Sequence, residues 1–374
     1  MILTSFVPFR SFSTFLRFLI GSVFVLVCLK PCYSDNFEIE RIGPQLAHPW
    51  GMAAINDTTI LITTRPGKLF SYDLKLNTQN LIKNVPTAYE YRQGGLLDVA
   101  VRIEDGEPTV FLCYTKRMKS KKLTTAIYRA KLANHSLLEG KDIFISNTES
   151  SSGLHFGCRM ALDDNFLFAS LGDRGNRHYA QDPTIHAGSI IRIDLDNRFT
   201  LNRSRLHWKK EIYSIGHRNP QGLVFHPSTG ELWAHEHGPR GGDEINIIQK
   251  YNNYGWPTVS YGKEYIGGDI GLNYSPPGYV DPIWKWNPSI APSGIAFYFG
   301  AMFQELNNKL LVGSLKFMKL YVLTLDSNSK PISETTMLNN NLGRIRDIEI
   351  IADGSILILN DEEDGGLFKL FRKH

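Results

Sequence analysis

The sequence predicts an all-β protein, a six-bladed β-propeller of four-stranded antiparallel blades. Two observations predict it. Short β-rich runs alternate with turn signals throughout, and no apolar period of 3.6 residues is sustained anywhere. The runs also group into six loosely similar blocks, each a polar or Gly-rich lead-in, an apolar strand, a turn, a second apolar strand and further strands. Six such units fit radial repetition, in which each small sheet covers its neighbour and ring closure leaves no long exposed edge. A β-sandwich or separate domains would not explain repeats spread over the whole chain.

The first 34 residues read as processing sequence. Arg10 and Arg17 form a positive n-region, and Phe18–Leu29 is an apolar stretch too short to span a bilayer comfortably. Cys32-Tyr33-Ser34 is an acceptable cleavage signal, so the expectation is an exported protein, periplasmic or secreted, whose single propeller domain occupies residues 35–374. No stable membrane insertion is expected after cleavage.

Cleavage leaves two cysteines, Cys113 in VFLCY and Cys158 in HFGCRM. A mature chain of about 340 residues buries enough surface to fold without cross-links. Both therefore read as buried packing residues, with a disulfide permitted by the compartment but not demanded. The formal charge of +4 is small for 374 residues, and Lys and Arg are scattered. A nucleic-acid partner is not expected, because no basic stripe with interleaved aromatics is present.

The blocks begin near Leu46, Gln93, Gly153, Gly216, Ala291 and Leu342. Phe37–Ile42 is an early strand placed to close the ring by pairing with the last blade. In each block a polar residue precedes the first strand: His48, Gln93, His155, Arg218, Ser289 and Arg344. If the first strands are the inner ones, all six lead-ins open on one end of the channel and line one pocket. Lys316 and Asp361 follow the second strand of their blocks. The densest cluster runs from Gly216 to Trp256, where strands around Leu223–Phe225 and Leu232–Ala234 flank the turn Pro227–Gly230. So many Gly, Arg, His and acidic residues beside one hairpin mark a site rather than a core.

HFGCR at 155–159, GHRNPQGL at 216–223, EHGPRGGDEIN at 236–246, NYGWP at 253–257, APSG at 291–294, GSLK at 313–316 and GRIRD at 343–347 occur in this order. Together they resemble the soluble aldose sugar dehydrogenases of the glucose/sorbosone dehydrogenase family, which use pyrroloquinoline quinone. The resemblance runs from Leu46 to Leu370, and implies a six-bladed propeller with the quinone over one end of the channel.

The resemblance places the family's general base at His155. An imidazole suits the task, because its reference pKa near 6.5 lets it accept a hydroxyl proton close to neutrality. Hydride then leaves the anomeric carbon of an aldose for the quinone, and the electrons pass to an external acceptor, a quinone or a cytochrome. Arg218, Lys316, Arg344 and Arg346 match cofactor-binding positions. The cofactor's three carboxylates suit Arg, which makes two parallel hydrogen bonds, and Lys, which supplies a point charge. Arg344 and Arg346 alternate at period two, which would aim both at one face of a strand. Asn219 and Gln93 match polar positions beside the cofactor. Gly238 and Pro239 match a pair whose backbone carbonyls hold a calcium ion, a cation that accepts neutral oxygen ligands and polarises the quinone.

Glu236, Asp243 and Glu244 tempt as metal ligands, but an acidic pair there serves equally to hold the loop through Arg240 or backbone amides. Arg159 reads as structural. Trp284 and Trp286 suit either stacking on a ligand or packing between blades. Leu154, where the glucose-oxidising branch is acidic, and the divergent surroundings of Asp173 and Arg174 favour the broader-specificity aldose branch. Two other functions fit a propeller. One is a calcium-dependent lactonase with a carboxylate cage, and the other a non-catalytic sugar- or protein-binding propeller.

Overall fold

The computed structural model describes residues 37–196 and 207–372. The expected signal segment, residues 1–34, lies outside them. Six four-stranded antiparallel sheets form a ring, blades 1 to 5 spanning residues 49–81, 96–145, 157–215, 220–286 and 292–337. Blade 6 takes three strands from residues 345–371, and Glu38–Leu46 adds the fourth by pairing antiparallel with Gly365–Phe371. The early strand thus joins the two ends of the propeller and leaves no open seam. Only two short 3₁₀ turns, Arg177–Gln181 and Gln304–Leu306, interrupt the β structure among the described residues. None of their helices is long and apolar enough to cross a membrane.

The second strands, such as Thr59–Thr64 and Ile356–Asn360, are almost wholly buried. This is why they read as continuous apolar runs rather than alternating ones: each sheet is packed on both faces. Trp286 shows the same packing, buried with Trp233 and Ile245 against Phe297 and Leu310 of the next blade, with Trp284 beside it. The two tryptophans are therefore wedges between blades.

The innermost strands are Pro49–Ala54, Leu96–Glu104, Gly157–Leu162, Pro220–Phe225, Pro292–Tyr298 and Ile345–Ile350. All six slip register against the second strand of their blade at the same place, two to three residues in. Such bulges re-aim side chains. Hydrogen bonds near the channel then close every junction between blades. Thr63 donates to the Leu97 carbonyl, and Asp98 accepts from Met160 N–H at 2.7 Å. Ser170 donates to Pro220 O at 3.2 Å, and His237 to Pro292 O at 2.6 Å. Ser293 donates to Ile345 O at 2.6 Å, and Asp347 accepts from Met52 N–H at 2.9 Å. Arg159 bridges the channel, its Nη1 lying 3.0 Å from Asp98 and 2.9 Å from Asp347.

The cysteines depart from their reading as separate packing residues. Cys113 and Cys158 form a disulfide between the second strand of blade 2 and the inner strand of blade 3. The strands are distant in sequence but adjacent in space, which spacing alone does not reveal. The bond closes a loop of 45 residues. Replacing both cysteines by serine is expected to lower unfolding free energy by about 2–4 kcal/mol, read from urea denaturation of the two proteins.

Candidate active site

Chain direction puts the start of each inner strand and the end of each second strand at one end of the channel. His48, Gln93, His155, Arg218, Ser289 and Arg344 lie just before the inner strands, and Arg65, Asp173, His237, Lys316 and Asp361 just after the second strands. A cavity of about 180 Å³ opens there. Trp50, Leu97 and Phe156 supply its apolar surface, and Gln93, Asn219, Gln221, Arg65, Arg344, Arg346 and Asp361 its polar groups.

His155 sits on a left-handed backbone, φ +49°, a strained conformation for a non-glycine residue. Its loop is clamped on both sides. Its N–H donates to Gln93 Oε1 at 2.7 Å, while Arg174 donates to the carbonyls of Ser152 and Leu154. The imidazole Nδ1 donates to Asp173 Oδ1 at 2.7 Å. Asp173 is held in turn by Gly175 N–H at 2.7 Å and Trp256 Nε1–H at 2.8 Å. This fixes the tautomer and leaves Nε2 with a lone pair and no protein partner among the described residues. Burial lowers the His155 pKa below its ordinary 6.5 against the pull of Asp173, and the charge of Arg218 adds to the lowering. Burial would raise the Asp173 pKa, but the hydrogen bonds from His155 and Gly175 and the charge of Arg218 outweigh it, so the carboxylate stays ionised.

The cavity carries three arginines against one carboxylate. Asp361 accepts from Arg346 Nη2 at 2.6 Å, and lies 2.9 Å from His48 Nδ1. Burial opposes its ionisation, yet the Arg346 guanidinium holds its pKa well below the usual carboxylate range. Arg344 reaches Asp361 only at 3.9 Å and stays 42 % exposed along its side chain. The Nε groups of Arg65 and Arg346 are buried and have no hydrogen-bond partner among the described residues, the Arg65 Nε lying 3.6 Å from Glu90 Oε1. His237 adds no charge, because burial pushes its pKa down to about 3. A flat, multiply anionic ring fits this lining: apolar groups for the ring, surplus guanidinium donors for carboxylates.

The residues singled out from sequence are not all in this cavity. Gln93, Asn219, Arg344 and Arg346 line it. The period-two argument for the two arginines fails, since Arg344 precedes the strand and the register slips between Ile345 and Asp347. Both arginines line the cavity all the same. Arg218 instead lines an adjoining recess with Gly238, Pro239, Glu236 and Glu244, and its Nη1 donates to the carbonyls of His237 at 3.0 Å and Gly238 at 2.9 Å. Lys316 is exposed, its Nζ 5.0 Å from the centroid of Phe317. Asp243 accepts from Ser289 and from the backbone N–H groups of Gly238, Ile290 and Ala291, so it holds the loop rather than offering a free carboxylate. Among the described residues no group of three or more His, Cys, Asp or Glu side chains could hold a metal. Any cation here would rely on backbone carbonyls such as those of Gly238 and Pro239.

Sequence reasoning missed several members of the site, Gln221, Arg65 and Asp173 among them. Arg65 and Asp173 both follow the second strand of their blades, as Lys316 and Asp361 do, and that shared position was the available signal.

The profile of the Glucose / Sorbosone dehydrogenase family matches residues 46–369. The chain is 34 % identical over 361 residues to aldose sugar dehydrogenase YliI of Escherichia coli, covering 92 % of this chain and 96 % of that one. It is 26 % identical over 420 residues to quinoprotein glucose dehydrogenase B of Acinetobacter calcoaceticus, covering 90 % and 87 %. Among solved structures, the apo form of the soluble aldose sugar dehydrogenase of Escherichia coli superposes with a TM-score of 0.83 at 31 % identity, over 90 % of this chain and all of the other.

Proposed function

The chain belongs to the glucose/sorbosone dehydrogenase family of sugar oxidoreductases, and from that premise we propose that it oxidises aldose sugars at the anomeric carbon to lactones, with pyrroloquinoline quinone and calcium, passing electrons to an external acceptor. The observation that carries this reading is the pairing of an oriented, neutral base, His155 on Asp173, with a cavity holding three arginines against one carboxylate. Arg65, Arg344 and Arg346 would hold the quinone's carboxylates, with Gln93 and Asn219 beside them. The carbonyls of Gly238 and Pro239 would hold calcium. When bound, the quinone and its cation supply a two-electron hydride acceptor.

The protein's own part is proton transfer and positioning. His155 Nε2 takes the proton of the anomeric hydroxyl, which raises the electron density that drives hydride departure. Asp173 stabilises the imidazolium so formed and keeps the ring from turning. Because burial lowers the His155 pKa, the base stays neutral below pH 6.5. The acidic limb of kcat/KM is therefore expected below that pH. Asp173→Asn removes the contribution that opposes the lowering and moves the limb further down, measurable as a pH–rate profile of the loaded enzyme.

A lactonase is less well supported, because the carboxylate cage it needs does not occur among the described residues. The disulfide between Cys113 and Cys158 suits an oxidising compartment, which supports export to the periplasm or beyond. The deciding experiment is reconstitution: apo-protein with quinone and calcium, followed by thermal melting and by sugar oxidation with an artificial acceptor. A rise in Tm together with turnover supports the reading, and absence of both removes it.

A further inference from the structure

The cavity end of the ring carries a charge pattern that the chemistry above does not use. Where the second strand of blade 2 turns into the third, residues 116–122 hold five of the chain's 41 lysines and arginines and no acidic residue. The turn is tight, closed by backbone hydrogen bonds of 2.9 Å from Met118 N–H to Lys122 O and from Lys121 N–H to Met118 O. Lys116 pairs with Asp142, Arg117 Cζ lies 4.9 Å from the centroid of the Tyr89 ring, and Ser120 donates to Glu149. Lys119, Lys121 and Lys122 are exposed, and their ammonium groups have no partner among the described residues.

An apolar tip stands at the same end on blade 4. Lys263 N–H donates to Arg240 O at 3.1 Å, and a Cβ on Gly262 would come within 2.8 Å of Pro239 Cδ. This segment therefore lies on the loop that follows the second strand of blade 4. Glu264 N–H then donates to Gly268 O at 2.9 Å, closing a turn that presents Tyr265, 69 % exposed, and Ile266, fully exposed. The acids beside the tip are matched by cations: Glu264 Oε1 lies 2.6 Å from Arg177 Nη1, and Asp269 pairs through the backbone with Lys263.

Blade 3 stands between these two features. Blade 6, opposite it in the ring, carries Glu362, Glu363 and Asp364 in the hairpin equivalent to the lysine hairpin of blade 2. The lysines and the apolar tip thus flank one side of the rim, and an acidic hairpin faces them across it. Lysine rather than arginine dominates the basic hairpin. Protein–protein interfaces are depleted in lysine, whereas clustered lysines are the common reader of anionic lipid. A tyrosine and an aliphatic side chain at a turn suit the interfacial layer of a bilayer.

We infer that this side of the rim docks reversibly on the anionic headgroups of a phospholipid bilayer. The lysines supply the attraction, and Tyr265 and Ile266 a shallow apolar anchor; two weak signals together hold a protein that neither holds alone. The acidic hairpin of blade 6 then tilts away from the surface and leaves the cavity open on that side. None of this depends on the sugar-oxidising reading.

The test uses the exported, processed chain in the same form throughout, because the apolar stretch 18–29 would bind lipid by itself. It is sedimented with vesicles of phosphatidylcholine alone and of phosphatidylcholine mixed with phosphatidylglycerol, at low and high salt. Wild type should bind only the mixed vesicles and leave them at high salt. Combined Lys119→Glu, Lys121→Glu and Lys122→Glu should weaken binding by about 10²-fold or more, and Tyr265→Ser with Ile266→Ser by about tenfold. Lys75, Lys250 and Lys330 are exposed just after third strands, at the other end of the ring. Combined Lys75→Glu, Lys250→Glu and Lys330→Glu changes the net charge equally and should leave binding nearly intact. A wild type that binds neither vesicle, or both alike, overturns the inference. So does undiminished binding in the lysine variant or the tip variant, or an equal loss in the control. Retention on poly-glutamate without vesicle binding would assign the patch to an acidic protein instead and overturn the lipid assignment.

Discussion

His155→Gln is expected to lower sugar oxidation by about 10²-fold or more, the scale of losing a positioned general base, while quinone still binds. Glutamine can accept a hydrogen bond but cannot carry away a proton. The surrounding structure would survive the change. Gln93 and Arg174 clamp the loop through backbone atoms of residues 152–155, and none of these contacts uses the imidazole. Asp173 would lose its imidazole partner but keep Gly175 and Trp256. Single-turnover reduction of the loaded enzyme by glucose isolates the step, and cofactor affinity measured in parallel shows whether binding is spared. Unchanged turnover at saturating cofactor would remove His155 from the chemistry.

Replacing Arg344 and Arg346 together by Met is expected to weaken quinone binding by about 10²–10⁴-fold, since each charge-assisted hydrogen bond contributes about 1.5–3 kcal/mol. The two arginines are not equivalent in the unloaded protein. Arg346 is buried and paired with Asp361 at 2.6 Å, whereas Arg344 is half-exposed and only 3.9 Å from it. Removing Arg346 takes the ion-pair partner from a buried carboxylate that keeps only His48 at 2.9 Å, a change that costs up to about 3–5 kcal/mol in such settings. The double variant should therefore melt lower than wild type even without ligand. The informative quantity is the rise in Tm on adding quinone and calcium, which should vanish in the double variant. Arg344→Met alone should shrink the rise while leaving the unloaded melting temperature near that of wild type. An undiminished rise in the double variant would mean that the cations serve another ligand.

Much of the site was legible along the chain. Each block places a polar residue immediately before its first strand, and antiparallel hairpins oblige those residues to share one end of the ring. That pattern singled out His155, Gln93, Arg218 and Arg344, of which Gln93 and Arg344 line the cavity and Arg218 the adjoining recess, and Asp361, noted only for its place after a second strand, lines the cavity too. Lys316 shares that place yet points to solvent, while Arg65, equivalent in position, enters the cavity. Nothing in a single sequence separates the two, because both are a cation following an apolar strand.

By itself the sequence determined the architecture: six strand-rich blocks, a closing strand at the start, and polar residues gathered at one end. These follow from local periodicity and turn chemistry, which depend on neighbours a few positions away. Only the tertiary structure decided which side chains meet. The slip in all six inner strands overrides the period-two rule and turns Asp98, Arg159 and Arg346 toward the channel. The blade 3 hairpin brings Asp173 to His155, and packing of blade 2 on blade 3 brings Cys113 to Cys158. Burial then sets the charge states, keeping His155 and His237 neutral and leaving the arginines in excess. The His155–Asp173 pair apart, these outcomes depend on distances between blades, and local pattern carries no record of them.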